Sequence, residues 1–542
     1  MQEPFCSLQY LRDAERKGVL AYNEVFPSNV TYAKSVELRA WVVELSMSLK
    51  LSIKTMLVAI NLLNAYLARS ASVTLKTVRE CVLACILMAS KYHDVNAIEI
   101  DDVELLGLAV DLDDVLSYEK LVFSKLGCNI DIPVETNYLR AIAMFVDVEL
   151  HECKLLLLIL AVVGIDYLPS VVATATVKLV LAGGDYQNPF MIRGYSINHC
   201  YNDIIRLVRK NPVSSFAFAP TMPGYKELCY KFEYLDVEDV NRKPRKRNRK
   251  SYNFVRSLEL PLVDTTNIHT GVFLGSGAYG SVHKVSYQGS LYAVKEIRSN
   301  SYDGLSSSFL REVSITMSLN NEYIVKPRHI NLNLDSLFMD LANGDLNSWV
   351  GLRNEATQKV LAKQMFKALN YMYDAGCLHR DIKPANILTY PGPKFVLADF
   401  GLSRGTEIVY KDNSYTTFVV TLWYRPPELL LGATKYSFAV DVWSMGCALY
   451  EFALKKVLFK GDSEFDQIMK IFGGLGTPTN KQWPSVSQLP NYKAGLPNFR
   501  GDPDLFRDVR LCKLYREVIP LCLALNPDAR IPPDELHERA SI

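Results

Sequence analysis

The first half of the chain carries apolar residues at the three- and four-residue spacing of amphipathic helices. Between Ser28 and Leu106 there is neither proline nor glycine. Residues at this spacing share one face of a helix, so each such set predicts a helix packed against its neighbours. The three sets are Val36, Ala40, Val43 and Met47; Met56, Ile60, Leu63 and Leu67; and Val78, Val82, Cys85 and Ala89.

Helical patterns continue to about residue 210, with an interruption at Pro133. Pro169 fits the first turn of a helix, where its missing N–H costs nothing. The spacing predicts further helices at Val103–Leu108, Val115–Leu126, Tyr138–Val146, Cys153–Asp166, Pro169–Leu181 and Ser196–Arg209. The pattern therefore predicts an all-α unit of two successive bundles, which carries no catalytic motif.

A different pattern begins near residue 270, where a glycine-rich loop joins two extended stretches. Leu274–Val282 reads G-x-G-x-x-G-x-V after its leucine, and such a loop can close over phosphates with its backbone N–H groups. The pattern alone is a weak signal, because dinucleotide-binding folds use a similar one. The strand-like run Tyr292–Lys295 that follows is similar to the V-A-I-K of kinases, and this resemblance implies a lysine that holds the phosphates of ATP.

Composition and charge narrow the class of protein. At 542 residues, with 49% hydrophobic and 22% charged residues, the chain should form about two or three globular domains. A net charge of +2 gives no reason to expect nucleic acid as a partner. There is no signal sequence at the N-terminus, and the apolar run Leu155–Ile165 is about half of a membrane span. We therefore expect an intracellular, soluble protein in a reducing compartment.

The eleven cysteines follow no disulfide framework. Cys81, Cys85, Cys128 and Cys153 lie in apolar helical patterns, where a free cysteine behaves as a small hydrophobic residue. Cys81 and Cys85 are also spaced so that they can begin a metal site, but no second ligand pair accompanies them. Core packing is the favoured interpretation.

Four stretches of the helical half resemble the cyclins. Leu38–Leu45 is similar to the M-R-A-I-L-V-D-W opening of the cyclin box, and Ala89–Tyr92 to its A-S-K-F/Y. Tyr118–Leu121 resembles the helix with the cyclin-box glutamate, and Tyr167–Ala173 the Y-L-P-S-x-x-A of the second cyclin fold. The resemblance covers about residues 30–215. It implies a first cyclin box at residues 1–132 and a second cyclin fold at 133–234.

The cyclin resemblance implies roles for five residues. Lys91 and Glu119 match positions that hold the kinase; alternatively, Lys91 caps its helix and Glu119 is solvated. Leu38, Val42 and Leu45 match a shallow patch that docks R-x-L substrates, although Leu45 replaces the family's tryptophan. These three apolar residues are equally compatible with core positions.

A basic run separates the two halves. Asn241–Lys250 holds seven basic residues and no apolar one, so a flexible linker is expected over residues 235–267. The part from Arg242 to Lys250 also has the composition of a nuclear localisation signal, which predicts residence in nucleus and cytoplasm. A solvated linker that no receptor binds is the equal alternative.

Motifs in the second half are similar to those of protein kinases. His379–Asn386 resembles the catalytic loop, which implies that Asp381 accepts the proton of the substrate hydroxyl and Asn386 holds Mg²⁺. Lys383 would neutralise the transferring phosphoryl group, and its type matches Ser/Thr kinases. Asp399, in Ala-Asp-Phe-Gly, would be the second metal ligand. Lys295 is expected to pair with Glu312.

Further stretches resemble the cyclin-dependent kinases. Ser306–Glu312 is similar to the helix that cyclins grip, which implies that Leu310 enters an apolar pocket of the cyclin. The activation segment Asp399–Glu428 implies Thr416 as the activating phosphosite. The family's three phosphate-binding arginines match Arg311, Arg380 and Arg404, and Glu428 is expected to pair with Arg530.

The kinase resemblance also implies a nucleotide site, with ATP and Mg²⁺ as cofactors. Its expected contacts are Leu274, Gly275, Ser276, Gly277, Ala278, Tyr279, Gly280, Ser281, Val282, Ala293, Lys295, Asp340, Ala342, Asp345 and Leu388. Ala278 replaces an inhibitory threonine of the family while Tyr279 remains, and Met339 occupies the gatekeeper position.

Together the sequence predicts a multidomain protein: an all-α double cyclin fold followed by an α+β bilobal kinase at residues 268–542. The expected function is a cyclin-activated Ser/Thr kinase in cell-cycle control, proline-directed, with its cyclin docked intramolecularly. Expected partners are substrates with Ser/Thr-Pro sites, small adaptor subunits and cell-cycle inhibitors, with no membrane. The alternatives are a decoy that binds inhibitors and adaptors, and a transcription-type kinase.

Overall fold

A computed structural model of the chain divides into two compact units. One comprises residues 11–260 and 299–310, the other residues 1–10, 261–298 and 311–542. The structure describes residues 32–70, 75–94, 96–108, 110–131, 150–163, 169–180, 197–210, 219–223, 225–226, 260–263, 271–277, 280–297, 304–405, 421–434, 436–493 and 495–541. The basic run Arg242–Lys250 and the predicted helix Tyr138–Val146 lie outside these residues.

The first unit is helical throughout its described part. Its helices are α1 (Tyr32–Ser48), α2 (Ile53–Arg69), α3 (Leu75–His93), α4 (Ile100–Glu104), α5 (Leu112–Lys125), α6 (Leu150–Val163), α7 (Pro169–Val180) and α8 (Ile197–Lys210). Helix α3 packs against both α2 and α5, and α7 packs against α8. The apolar sets predicted for α2 and α3 are buried at every position, so both belong to the core of the unit.

Helix α1 buries a different face from the predicted one. Arg39 is 2% exposed, and its guanidinium donates hydrogen bonds to Ser35 Oγ (3.1 Å) and to the carbonyl oxygen of Val163 in α6 (3.4 Å). Because this polar contact turns α1 towards α6, the predicted positions Val36, Ala40 and Met47 are only half-buried. The buried residues are Ser35, Arg39, Val42, Val43, Leu45 and Ser46.

This rotation also decides between the two interpretations of the docking patch. Val42 is completely buried and Leu45 is 7% exposed, whereas Leu38 is half-buried. In this structure two of the three residues therefore belong to the core. A surface patch that needs all three side chains is not present.

Helix α4 begins three residues earlier than predicted and is short. The backbone N–H of Glu99 donates to Asp102 Oδ2 (2.9 Å), which completes a capping box. Gly107, at φ +64°, follows the end of the helix in the left-handed conformation that glycine adopts readily. The predicted range Val103–Leu108 was therefore wrong at both ends.

The cysteines that the structure describes are all buried. Burial raises the pKa of the Cys81 thiol to about 12, and that of the Cys128 thiol also to about 12. No group of three or more His, Cys, Asp or Glu within the described ranges could hold a metal ion. The core interpretation of Cys81 and Cys85 is thus favoured. Among the described helices none combines the length and apolarity needed to cross a membrane.

The second unit begins with an antiparallel sheet of five strands in the order β1-β2-β3-β5-β4. The strands are β1 (Val272–Gly277), β2 (Gly280–Tyr287), β3 (Ser290–Ile297), β4 (Pro327–Asn331) and β5 (Ser336–Asp340). The register places Lys295 of β3 opposite both Val282 of β2 and Leu337 of β5. The sheet therefore brings the predicted lysine next to the glycine-rich hairpin.

The remainder of this unit is mainly helical. It contains α9 (Ser307–Ser318), which begins in the segment grouped with the first unit, α10 (Glu355–Asp374), α11 (Pro427–Leu430), α12 (Ala439–Leu454), α13 (Glu464–Leu475), α14 (Lys513–Cys522) and α15 (Pro533–Ser541). Two small sheets join β6 (Gly344–Asp345), β8 (Ile387–Tyr390) and β9 (Lys394–Leu397), and β7 (Cys377–Leu378) with β10 (Arg404–Gly405). The predicted pair is present: Nη1 and Nη2 of Arg530 each donate to a carboxylate oxygen of Glu428 at 2.6 Å.

Part of the predicted flexible linker is ordered against the sheet. The N–H of Val263 donates to the Ile330 carbonyl (2.9 Å), the N–H of Ile330 donates to the Pro261 carbonyl (3.2 Å), and Leu262 bridges Ile330 in parallel. Val263 is 7% exposed and belongs to the apolar cluster of Val285, Tyr287, Val294 and Phe338. Pro261–Val263, which lie inside the predicted linker of residues 235–267, are therefore bound to β4 through an isolated bridge.

Two adjacent substitutions test whether this bridged segment anchors the chain to the sheet. Val263→Asp places a carboxylate in the apolar cluster and should lower the stability of the second unit by about 2–4 kcal/mol. Leu262→Asp is the matched control, because Leu262 is 51% exposed and should tolerate the charge. Thermal unfolding of the full chain measures both. Equal melting temperatures for the two variants would contradict the anchor.

Candidate active site

Three charged side chains from separate elements meet in the second unit. Lys295 Nζ lies 2.7 Å from Glu312 Oε2 of α9 and 2.6 Å from Asp399 Oδ1, which follows β9. Burial alone would lower the pKa of Lys295, but the Glu312 and Asp399 carboxylates raise it above its ordinary value. Lys295 therefore stays cationic, as a group that binds phosphates must. The predicted pairing of Lys295 with Glu312 is present.

Asp399 has a strained backbone, with φ at +67°. Burial acts to raise the pKa of its carboxyl, but the charge of Lys295 outweighs burial and holds the pKa below its ordinary value. The following residue, Phe400, is fully buried, and its ring lies 4.7 Å from the His379 ring. Asp399 is therefore an anion in a fixed orientation beside Lys295.

The catalytic-loop residues converge on one carboxylate. Asp381 Oδ2 accepts hydrogen bonds from Lys383 Nζ (2.7 Å) and Asn386 Nδ2 (3.0 Å), and Thr421 Oγ1 lies 3.0 Å from Asp381 Oδ1. Lys383 Nζ also donates to Thr421 Oγ1 at 3.0 Å. Asp381 is 5% exposed. These contacts fix the carboxylate as an acceptor and keep it close to an ammonium group.

A buried aspartate in α12 binds the backbone of this loop. Asp441 is completely buried, and its carboxylate accepts the backbone N–H groups of His379 and Arg380, both at 2.8 Å. Arg380 has φ +67°, which these bonds stabilise, and His379 Nε2 lies 2.9 Å from the Ala398 carbonyl oxygen. The catalytic loop and the Asp399 segment are thus fixed to one scaffold.

Sequence reasoning missed Thr421 and Asp441. Thr421 lies in the activation segment Asp399–Glu428 and Asp441 in helix α12, but neither belongs to a spacing pattern that assigns it a partner. The signal that was available for Asp441 is its charge within an otherwise apolar helix, because a buried aspartate needs hydrogen-bond donors.

The predicted nucleotide contacts lie around the glycine-rich hairpin and the end of β5. A Cβ on Gly280 would lie 2.0 Å from the Glu296 carbonyl oxygen, so the close hairpin requires glycine there. Ala293 is opposite Met339, and Asp345 of β6 is opposite Leu388 of β8. The other predicted contacts that the structure describes are Leu274, Gly275, Ser276 and Gly277 in β1, Ser281 and Val282 in β2, and Asp340 and Ala342 after the gatekeeper. Ala278 and Tyr279 lie outside the described residues.

The predicted phosphate-binding group is only partly described. Arg311 is half-buried on α9, and Arg380 Nε donates to the Leu402 carbonyl at 3.0 Å. Arg404 pairs through its backbone with Leu378. Thr416 lies outside the described residues, and its binding by these arginines stays a prediction.

In the helical unit, Lys91 and Glu119 form a buried ion pair. Lys91 Nζ lies 2.8 Å and 3.1 Å from the two carboxylate oxygens of Glu119, which is completely buried. Glu119 Oε2 also accepts the backbone N–H of Leu305 at 2.9 Å. Glu119 is therefore not solvated, which was one alternative. Its charge is compensated by a lysine and an N–H of the segment 299–310.

That segment packs tightly within the helical unit. Gly304 has φ +71°, and a Cβ there would lie 2.2 Å from Glu119 Oε2 and 2.9 Å from Leu116 Cδ2. The Phe309 ring contacts the Phe123 ring edge-on at 6.4 Å. Leu310, the residue expected in an apolar pocket, is completely buried.

The fold, a five-stranded antiparallel sheet followed by a mainly helical part, is that of a protein kinase. The site is also that of a kinase: the triangle of Lys295, Glu312 and Asp399 beside the cluster around Asp381. Comparison with known families agrees: residues 268–540 match the protein kinase domain, and residues 7–131 match the cyclin N-terminal domain. The chain belongs to the protein kinase family and is a Ser/Thr kinase of the cyclin-dependent type, joined to a cyclin region in one polypeptide.

Two relatives are cyclin-dependent kinases. Cyclin-dependent kinase 1 of Encephalitozoon cuniculi is 38% identical over 252 residues, which cover 43% of this chain and 84% of that protein. Cyclin-dependent kinase C-3 of Oryza sativa is 36% identical over 282 residues, covering 48% of this chain and 86% of the relative. The predictions of a cyclin–kinase fusion and of its multidomain fold class are confirmed.

Proposed function

We propose that this chain transfers the γ-phosphate of ATP to Ser/Thr residues followed by proline, in control of the cell cycle, and that its own cyclin region activates it. The observation that carries the proposal is the complete Asp381 cluster beside the Lys295–Glu312–Asp399 triangle. Phosphoryl transfer depends on positioning and electrostatics, and these residues supply both. A decoy that only binds inhibitors would not need them.

Each charged group of the site has a role in this reaction. Lys295, oriented by Glu312, binds the nucleotide phosphates. Asp381 accepts the proton of the attacking hydroxyl, and Lys383 neutralises charge on the phosphoryl group in transit. Thr421 ties these two residues together. The residues that would hold ATP are those of the glycine-rich hairpin and of the chain from Asp340 to Asp345.

The donor set fits magnesium. Asn386 uses its Nδ2 to bind Asp381, which leaves its amide oxygen for a cation, and Asp399 supplies a carboxylate. Mg²⁺ takes oxygen ligands, usually from one or two protein groups together with substrate phosphates. Bound there, the ion would neutralise charge on the phosphates.

The cyclin side of the proposal rests on the helical unit. Lys91 and Glu119 hold the segment before α9, and Leu310 anchors the first turn of that helix. Since Glu312 lies on the same helix, seating this segment would set the position of the Lys295 partner. Phosphorylated Thr416 would carry a double negative charge, for which Arg311, Arg380 and Arg404 would supply cationic partners.

The test is phosphorylation of a peptide by the purified chain without added cyclin. A Thr-Pro peptide should be phosphorylated at least tenfold faster than its Thr-Ala counterpart. A Thr416→Ala chain and a phosphatase-treated sample measure the contribution of the phosphosite. Equal rates on the two peptides would contradict proline direction, and activity that appears only with an added cyclin would contradict the internal activator.

A further inference from the structure

Side chains from two other strands contact Asp340, the residue that follows the gatekeeper. Arg328 of β4 binds the Asp340 carboxylate with two nitrogens, Nε at 2.9 Å and Nη2 at 2.6 Å. Tyr390 of β8 donates its hydroxyl to the backbone carbonyl of Asp340 at 3.1 Å. The carboxylate and the carbonyl of one residue are thus held by two different strands.

A β-bulge brings Arg328 to this position. Pro327 pairs with Met339 and His329 with Phe338, so the register between β4 and β5 shifts at Arg328. The extra residue of a bulge leaves the regular alternation and its side chain is re-aimed. Arg328 consequently reaches Asp340 at the end of β5. In a regular strand its side chain would point in another direction.

Tyr390 extends a contact that β8 already makes with the connection after β5. The N–H of Asn343 donates to the Thr389 carbonyl at 2.8 Å, and Thr389 Oγ1 donates to the Gly344 carbonyl at 3.2 Å. The Tyr390 hydroxyl adds a bond three residues upstream of Asn343. Burial, with a contribution from the nearby Asp340 charge, raises the pKa of Tyr390 to about 12, so the hydroxyl keeps its proton and donates.

A carbonyl oxygen has two lone pairs, and the Tyr390 bond uses one of them. We propose that Tyr390 is a positioning residue for the nucleotide: with Arg328 orienting Asp340, it holds the Asp340 carbonyl so that the second lone pair accepts the exocyclic amino group of adenine. This inference rests on the proposed function, since it assumes that ATP binds against Asp340. Both side chains of the Arg328–Asp340 pair are about half exposed, so the pair adds little to stability. Its role is to orient Asp340.

The test substitutes Tyr390→Phe in the full-length chain and measures steady-state kinetics. Loss of the positioning bond should raise KM for ATP by about three- to tenfold and change kcat by less than about twofold. Purine riboside triphosphate, which lacks the 6-amino group, serves as the second nucleotide. Its KM should be the same in wild type and variant, because it makes no use of the carbonyl.

The matched control is Tyr292→Phe. Tyr292 of β3 lies opposite Asp340, but its hydroxyl pairs with His329 Nε2 (3.2 Å). The same chemical change in the same cluster should leave KM for ATP within about twofold of wild type, because the carbonyl keeps its donor.

Three outcomes would overturn the proposal. A lower KM for ATP in Tyr390→Phe would mean that the hydroxyl competes with the nucleotide. An equal rise of KM for both nucleotides would mean general damage to the site. Unchanged binding of Mg·ADP in the same variant, measured by calorimetry, would contradict only the positioning role of Tyr390. A wild-type chain that binds no adenine nucleotide would contradict the proposed function as well.

Discussion

Replacing Asp381 with asparagine is expected to reduce peptide phosphorylation by about 10³-fold while nucleotide binding persists. The carboxylate is 5% exposed and is the common acceptor for Lys383, Asn386 and Thr421. An amide is not a base, and its NH₂ group would face donors. The loss should therefore fall on kcat, with KM for ATP little changed.

The control for this substitution is Asp528→Asn, which makes the same chemical change at an exposed aspartate. It should retain full activity. Calorimetry with Mg·ADP and a thermal melt confirm that the Asp381→Asn chain is folded. If that chain phosphorylated the peptide at more than about a tenth of the wild-type rate, Asp381 would not be the catalytic base.

Gly304→Ala should reduce activity by at least about tenfold by another route. A Cβ there would collide with Glu119 Oε2 at 2.2 Å, the oxygen that accepts the N–H of Leu305. Displacing the segment leaves the buried Glu119 with one acceptor site unsatisfied and moves the first turn of α9. Glu312 follows on that helix, so the Lys295 pair should be lost from a fraction of the molecules. The measurement is peptide phosphorylation without added cyclin.

Gly289→Ala is the matched control, because it separates collision from backbone strain. Gly289 has φ +77°, close to the +71° of Gly304, but a Cβ there would meet nothing within 4 Å. Both variants incur the same cost of a left-handed alanine, about 1–2 kcal/mol, and only one displaces a neighbour. Equal activities for the two would show that the contact with Glu119 has no part in activation.

Apolar spacing predicted the helices whose buried face is apolar and failed where a polar group decides the orientation. The stripes of α2 and α3 are buried at every position. Helix α1 is rotated because Arg39 is buried with hydrogen bonds to Ser35 and Val163. A periodicity argument assigns arginine to the surface, so it could not find this face.

The catalytic residues were predictable because each belongs to a motif with fixed spacing. Asp441, Thr421 and Tyr390 act through contacts that are 38 to 62 residues distant in sequence, such as the bond from the His379 N–H to Asp441. No local pattern encodes such a contact. Similarly, Val263 follows a basic stretch that favours disorder, and only its partners in the sheet show that it is buried.

The pairing of Pro261–Val263 with β4 has a practical consequence for anyone who excises the kinase. The match to the protein kinase domain begins at residue 268, and an expression fragment designed from that boundary would lack this pairing. Its sheet would expose the surface of Val285, Tyr287 and Phe338 that Val263 covers, together with an unpaired edge at Ile330. A fragment that starts a few residues before Pro261 keeps the native edge of the sheet closed.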